Sequence, residues 1–260
     1  DRRNTDCSKQ VMLGGFESPA FMRIPENRVD MLDAELASHG LSPDRWFCVV
    51  NYRAPGYKYR PDQNSKDIAP KPFMKLVQYI TENLGGQVVR VGHPNMTRFP
   101  KRPGFVDLAP LENSFMLHAH AISRARFLVG SLSGISHLGS ALNTPTLITN
   151  CIDAPYSPGC WRDHDVVLYA NLFDPTGHRV PILERREKNY MDRGALAQLV
   201  KHDGYRMEQN LATELELAVN YLMDATADGQ SWRLPSYPAE PASRPNRFEF
   251  PMKLKVRVKI

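Results

Sequence analysis

Three observations place this chain in the α/β class, as a doubly wound parallel sheet. Short runs that are apolar at nearly every position recur along its 260 residues, of which WFCVVN (46–51) and FLV (127–129) are the plainest. Segments with helical spacing of apolar residues lie between these runs. Most of those segments stop at Gly or Pro. Continuous apolarity fits strands buried on both faces, and their alternation with helices makes the sheet parallel and helix-covered.

The elements follow in order. Residues 1–28 show no periodicity and read as a connecting segment. A helix is expected over 29–39, ended by Gly40, and then a buried strand over 46–51. The loop RAPGYKYRPDQNSKDIAP after it holds too much Pro and Gly for regular structure. Residues 73–84 read as a helix closed by Gly85 and Gly86, and 87–91 as the second strand. A Pro-rich loop leads to a third strand over 104–108. The helix over 114–124 carries Phe115, Ala119 and Ile122 on one face. Strands over 127–130 and 146–149 flank a further helix whose apolar face is Ile135, Leu138 and Leu142, and Asn143, Thr144 and Pro145 stop it. Residues 165–169 read either as a last sheet strand or as a return to the surface. Helices over 194–201 and 210–224 complete a domain spanning 29–229. The tail, 230–260, is rich in Pro and ends in an alternating segment.

Composition narrows the partners. With 42% hydrophobic and 23% charged residues the chain has an ordinary globular balance. Its net charge of +5 and pI near 9.0 suit an anionic ligand or an acidic surface. The basic residues are scattered except for Lys253, Lys255, Arg257 and Lys259. These alternate with Leu254, Val256, Val258 and Ile260, the pattern of an amphipathic strand rather than a nucleic-acid arm. No nucleic-acid partner is expected. No apolar run reaches bilayer length, so membrane association is expected to be peripheral at most. The four cysteines include no CxxC pair, and Cys48 sits within an apolar strand, as in a cytoplasmic protein with reduced thiols. Cys151, Cys160 and His164 match no common zinc spacing, and no metal site is expected. The chain opens at Asp1 with no signal-peptide pattern, as a fragment or trimmed chain would.

In a parallel sheet, ligands bind beyond the carboxyl ends of the strands. The first strand delivers Arg53 there, and the second Arg90, Gly92 and His93. The third delivers Asp107, and the fourth Ser131, Ser133, Gly134 and Ser136, with His137 in the first helical turn. The fifth delivers Asn150. Arginines at strand ends can hold phosphate bidentately. The Ser/Gly loop presents hydroxyls and backbone N–H groups at a helix start, where anions are favoured. Asp107 suits ribose hydroxyls or a base N–H, and His93 a phosphate or ribose. The loop is neither a GxxxxGK[ST] phosphate loop nor a GxGxxG dinucleotide fingerprint. It is not a GxSxG nucleophile elbow either, because in Gly130-Ser-Leu-Ser-Gly134 the second serine comes one residue late. Ser133 with His137 or His164 still defines an alternative, a serine ester hydrolase.

The segments NYRAPGYK, QNSKDI, VVRVGHP, FVDLA, ARFLVGSLSGISHLGSALNTPTLITN and DGYRMEQNLATELELAV, in that order, resemble the C-terminal, donor-binding half of a family of bacterial glycosyltransferases of the GT-B fold from surface-polysaccharide gene clusters. The resemblance covers about residues 30–225 and is most specific in the R-x-G-x-P and G-S-x-S-G segments. It implies a Rossmann-like half-domain that takes a nucleotide sugar as substrate, without a further cofactor, and transfers the sugar to a glycan or lipid-linked glycan. It implies that Arg53, Arg90, Ser131, Ser133 and Gly134 hold the phosphates, with Arg90 and Arg53 as the catalytic pair. Asp107 and the loop from Gly92 would lie near ribose and base. Asn51 stands where the family has histidine, and His93 where it has aspartate. The late helix opens Asn210-Leu-Ala-Thr-Glu214 instead of N-T-x-E-E. An N-terminal GT-B half is expected upstream of Asp1, or else the chain is a reduced form. A catalytically silent nucleotide-sugar or glycan-binding module is the alternative within this resemblance. No DxD-type metal motif is present, and metal-independent transfer is expected.

Overall fold

The computed structural model describes residues 22–54, 67–152 and 165–227, and within them the chain builds a six-stranded sheet with helices on both faces. The strands are β1 (Phe47–Asn51), β2 (Gln87–Arg90), β3 (Phe105–Asp107), β4 (Leu128–Ser131), β5 (Thr146–Cys151) and β6 (Val166–Tyr169). Their order is β3-β2-β1-β4-β5-β6 and every neighbouring pair is parallel. This is a doubly wound, Rossmann-like α/β sheet, with its topological switch point between β1 and β4.

The side-chain alternation of β1 explains why helices are needed on both faces. Cys48 and Val50 point into a core shared with α2 (Pro70–Glu82) and α7 (Ala212–Ala225). Val49 points the other way, toward α1 (Glu26–Ser38), α3 (Phe115–Arg124) and α4 (Gly134–Ala141). All three of these β1 side chains are 0% exposed. Complete burial of a Val-sized side chain is worth roughly 1.5–3 kcal/mol, so a strand apolar on both faces is stable only between two helical layers. Pro70 opens α2, where a missing N–H costs nothing, and Ala69 before it is extended.

The structure differs from the sequence reading in several places. The first helix starts at Glu26, three residues before the expected Val29, directly after Pro25. β4 runs one residue further than expected, because Ser131 pairs in register with Thr149. β5 continues to Cys151, two residues beyond the expected end. Residues 166–169 are the sixth sheet strand rather than a return to the surface. Beyond it lies a small lobe of which the sequence reading assigned only the helix over 194–201. Its parts are β7 (Asn171–Phe173) antiparallel to β8 (Arg206–Glu208), α5 (Ile182–Glu187) and α6 (Arg193–His202). The expected strand over 253–260, together with Cys160, His164 and most of the 1–28 segment, lies outside the described residues. Among the described residues, no helix is long and apolar enough to cross a membrane.

Candidate functional site

The register of the parallel strands sets which strand ends meet. Asn51 lies opposite Gly130, Val50 opposite Arg90, and Arg90 opposite Asp107. The exit of β1 therefore sits between the β2 loop and the β4 loop, across the switch point. Two side-chain bonds span that point. The Arg53 backbone N–H donates to Ser131 Oγ at 3.0 Å, and Ser133 Oγ donates to Asn51 Oδ1 at 3.3 Å. Asn51 Nδ2 in turn donates to the Val91 carbonyl at 3.0 Å. The buried Asn51 amide thus ties the β2 exit to the serine loop, a role the sequence reading did not give it. Gly92 permits this closeness, since a Cβ there would collide with the Met96 sulfur and reach within 3.4 Å of Asn51 Nδ2.

The serine loop is rigid from inside. Ser136, fully buried, donates through Oγ to the Ser133 carbonyl at 2.8 Å and the Ser131 carbonyl at 3.2 Å, and accepts from Ser133 N–H at 3.1 Å. Ser136 is therefore an internal brace rather than a ligand contact. Gly134 occupies the first turn of α4, is exposed, and has open space where a Cβ would stand. His137 is exposed one turn on. The first N–H groups of any helix have no intrahelical partner, so this turn offers donors to an anion.

Arg53 leaves β1 beside this loop. Its Nε lies 3.3 Å from Asp67 Oδ1, and its carbonyl accepts from Ile68 N–H at 2.9 Å. Asp67 belongs to the QNSKDI segment, and it orients the arginine expected to meet the ligand. Beneath lies Tyr52, stacked on Phe73 at 5.0 Å and Phe99 at 5.8 Å, with its phenol pKa raised by burial.

Two expected ligand residues are turned to each other instead. Arg90 is 0% exposed and forms a bidentate pair with Asp107, Nε to Oδ1 at 2.9 Å and Nη2 to Oδ2 at 2.7 Å. Its Nη1 donates to the Thr97 carbonyl, and the guanidinium lies 4.3 Å from the Phe99 ring centroid. Every nitrogen of Arg90 is engaged inside the fold, and Asp107 also accepts from Ala109 N–H at 3.3 Å. This pair locks β2 to β3 and leaves no fork for phosphate. Asn150 is likewise engaged, exchanging bonds with Asn210: Asn150 N–H to Asn210 Oδ1 at 2.7 Å, and Asn210 N–H to Asn150 Oδ1 at 2.6 Å. His93 is partly exposed, and its Nδ1 accepts from Asn95 N–H at 3.2 Å, which places the ring proton on Nε2. Near the base of the β3 loop, the buried His118 bonds through Nε2 to the Leu108 carbonyl at 3.1 Å and Ser114 Oγ at 3.0 Å. Burial lowers the pKa of this ring.

The structure therefore groups Arg53, Ser133 and Gly134 at the switch point, with His93 on the neighbouring loop, while Ser131, expected at the ligand, is buried and braces the Arg53 backbone. Arg90, Asp107, Ser136 and Asn150 support that group. Sequence reasoning missed Asp67 and Asn51 as partners, although both lie in segments that carry the family resemblance. Among the described residues no group of three or more His, Cys, Asp or Glu side chains is arranged to hold a metal ion.

No protein-family model matches the chain, and no curated protein resembles it in sequence. A solved structure shares its fold. A glycosyl transferase of family 9 from Veillonella parvula superposes with a TM-score of 0.54 at 16% identity, over 80% of this chain and 55% of that one. The E. coli ADP-heptose lipopolysaccharide heptosyltransferase II gives a TM-score of 0.49 at 15% identity, over 79% and 54%. The chain thus spans about half the length of each of these proteins.

Proposed function

We propose that this chain is the donor-binding half of a GT-B glycosyltransferase that transfers a sugar from a nucleotide sugar to a glycan acceptor in bacterial surface-polysaccharide synthesis. The observation that carries the reading is the meeting of Arg53 with the Ser131–Gly134 loop at the switch point, joined by the 3.0 Å bond from Arg53 N–H to Ser131 Oγ. An arginine, a serine loop and a helix start at that position form a site for a phosphate-bearing ligand. The fold shared with a family 9 glycosyl transferase agrees with it.

In this reading the bond from the anomeric carbon to the leaving phosphate oxygen breaks as the acceptor hydroxyl oxygen bonds to that carbon. Arg53 neutralises the charge that builds on the leaving phosphate, while the first-turn amides of α4 orient it. Arginine and helix amides supply this stabilisation without a metal. The proton of the acceptor hydroxyl passes to a base outside the Arg53–serine loop group. Ser133 Oγ donates to Asn51 and no described histidine bonds to it, while His164, the other base of the ester-hydrolase alternative, lies outside the described residues.

Calorimetric titration with ADP, UDP, GDP, CMP and dTDP tests the reading. One nucleotide is expected to bind, and Arg53→Ala is expected to weaken it by about 1.5–3 kcal/mol, the range of a charge-assisted hydrogen bond. Arg53→Lys should recover only part of the loss, because lysine keeps the charge without the fork. Binding without sugar transfer by the full-length enzyme would assign the silent binding role. Failure of every nucleotide to bind would remove the donor-site reading.

A further inference from the structure

Gln209 and Asn210, the two residues after β8, hold together three loops that leave different strands. Gln209 Oε1 accepts from Ala69 N–H at 2.8 Å, and its Nε2 donates to the Asp67 carbonyl at 2.9 Å. One amide side chain thus satisfies the donor and the acceptor on one edge of the 67–69 backbone, as a neighbouring strand would. Asn210 exchanges two bonds with Asn150 at the end of β5, and its Nδ2 donates to the Tyr169 carbonyl at the end of β6 at 2.9 Å. The other side of the 67–69 segment is held by Arg53, whose carbonyl accepts from Ile68 N–H and whose guanidinium pairs with the Asp67 carboxylate. No periodicity places residues 67–69 here. They are fixed by partners some 140 residues away in sequence.

We propose that Gln209 is a positioning residue for the phosphate site, acting through Asp67 on Arg53. Its ligand side rests on the donor-site reading above, whereas the positioning itself does not. A free arginine side chain loses rotamer freedom when it grips an anion, and that loss subtracts from affinity. A carboxylate fixed beside Nε removes part of the loss in advance, provided the carboxylate is itself held. Gln209 holds it by clamping the Asp67 and Ala69 backbone, and Asn210 ties the clamp to the sheet edge. Both asparagines of the Asn150–Asn210 pair lie at strand or helix ends, with Asn150 in the left-handed region at φ 53°, so the clamp moves with the sheet.

The test compares the parent with Gln209→Ala, Gln209→Glu and Asp67→Asn in two measurements. In ligand-free protein, the Arg53 Nε–H resonance and the exchange rate of the Ala69 amide report the positioning directly. Gln209→Ala is expected to move and broaden the Arg53 signal and to speed Ala69 exchange at least about tenfold, with exchange at Val129 and Leu147 unchanged. Gln209→Glu keeps the acceptor for Ala69 and loses the donor to Asp67, so its effect should be intermediate; it also decides the matter if the alanine variant does not fold. In the second measurement, Gln209→Ala and Asp67→Asn should each raise the nucleotide Kd about three- to tenfold. Neither should raise it further in an Arg53→Ala background, because coupled residues are not additive. An unchanged Arg53 signal in Gln209→Ala overturns the positioning role. Loss of affinity that simply adds to that of Arg53→Ala overturns it as well. A parent that binds no nucleotide overturns the donor-site reading alone, and the resonance measurement still decides the role of Gln209.

Discussion

Arg53 and Arg90 leave adjacent strands with the same chemistry and reach different ends. The pairing of Arg90 with Asp107 across β2 and β3 buries a charge together with its partner, and removing one member leaves the other stranded. Asp107→Asn is therefore expected to destabilise the fold by about 3–5 kcal/mol in urea unfolding. A cost near zero would mean that the pair does not hold β2 to β3. His118 makes a second residue-scale prediction. Its pKa in the folded protein is lowered by burial, so below about 6.5 the unfolded chain takes up a proton that the folded one refuses. Stability should fall as pH drops through that window and level off below the folded pKa. Urea midpoints at pH 7.5 and 5.5 should differ less for His118→Gln than for the parent, and equal differences would remove His118 as the cause. At this scale the sequence disclosed which residue types stand at strand ends, but not which of them are already spent. That depends on register: Arg90 is lost to the ligand because Asp107 faces it from the next strand, a fact no local pattern carries.

Among the elements, the turn from β4 into α4 separates what serves the fold from what is proposed to meet the ligand. Three glycines around the site differ in what a side chain would meet. At Gly139 a Cβ would press on Leu128 Cδ2 at 2.6 Å and Thr146 Oγ1 at 2.9 Å, while at Gly134 it would meet nothing within 4 Å. Gly92 lies between, blocked by the flexible end of Met96 and by Asn51, and its φ of 157° also strains any L side chain. Gly139→Val is expected to cost about 1–3 kcal/mol by overpacking, lowering Tm by several degrees in differential scanning calorimetry. Gly134→Val should leave Tm nearly unchanged and lower nucleotide affinity, because its only new neighbour is the ligand. If both variants bind nucleotide as the parent does, the first turn of α4 is not part of the site. The elements with two buried faces were legible: β1, β2 and the helices over them announce themselves by apolarity. The strands β7 and β8 did not, because each is three residues long and β8 is largely exposed. A strand that buries little has no pattern to read, and α5, six residues after Pro181, is too short for a helical period to show.

At the scale of the whole molecule, two cores on opposite faces of one sheet carry the stability, and the lobe of β7, β8, α5 and α6 hangs from its edge. That lobe has its own small cluster of Leu172, Val180 and Leu196, with Tyr190, Tyr205 and Met207 packed around it. Ile152, directly after β5, packs against this cluster from the main body, and polar bonds add to that tie. Arg185 Nη1 donates to the Ala170 carbonyl at 2.8 Å, Asn171 Nδ2 donates to Glu214 at 3.0 Å, and Arg179 pairs with the same carboxylate at 2.8 Å. Arg185 is 2% exposed, and among the described residues its Nε and Nη2 have no hydrogen-bond partner, so this joint carries a desolvation cost. A small apolar cluster set against such a cost should open before the sheet does. Native-state hydrogen exchange is therefore expected to show the amides of Leu172 and Met207 protected by a lower free energy than those of Val49 and Val129. In rising denaturant, the lobe amides should join the sheet amides only near global unfolding. Gln209 and Asn210 sit where the lobe returns to α7, and Asn210 is tied to β5, so Ala69, clipped by Gln209, is expected to exchange with the sheet amides. If Ala69 exchanges with the lobe, Arg53 loses its support each time the lobe opens. If it exchanges with the sheet, the clamp belongs to the main body and the lobe opens without disturbing the proposed phosphate site.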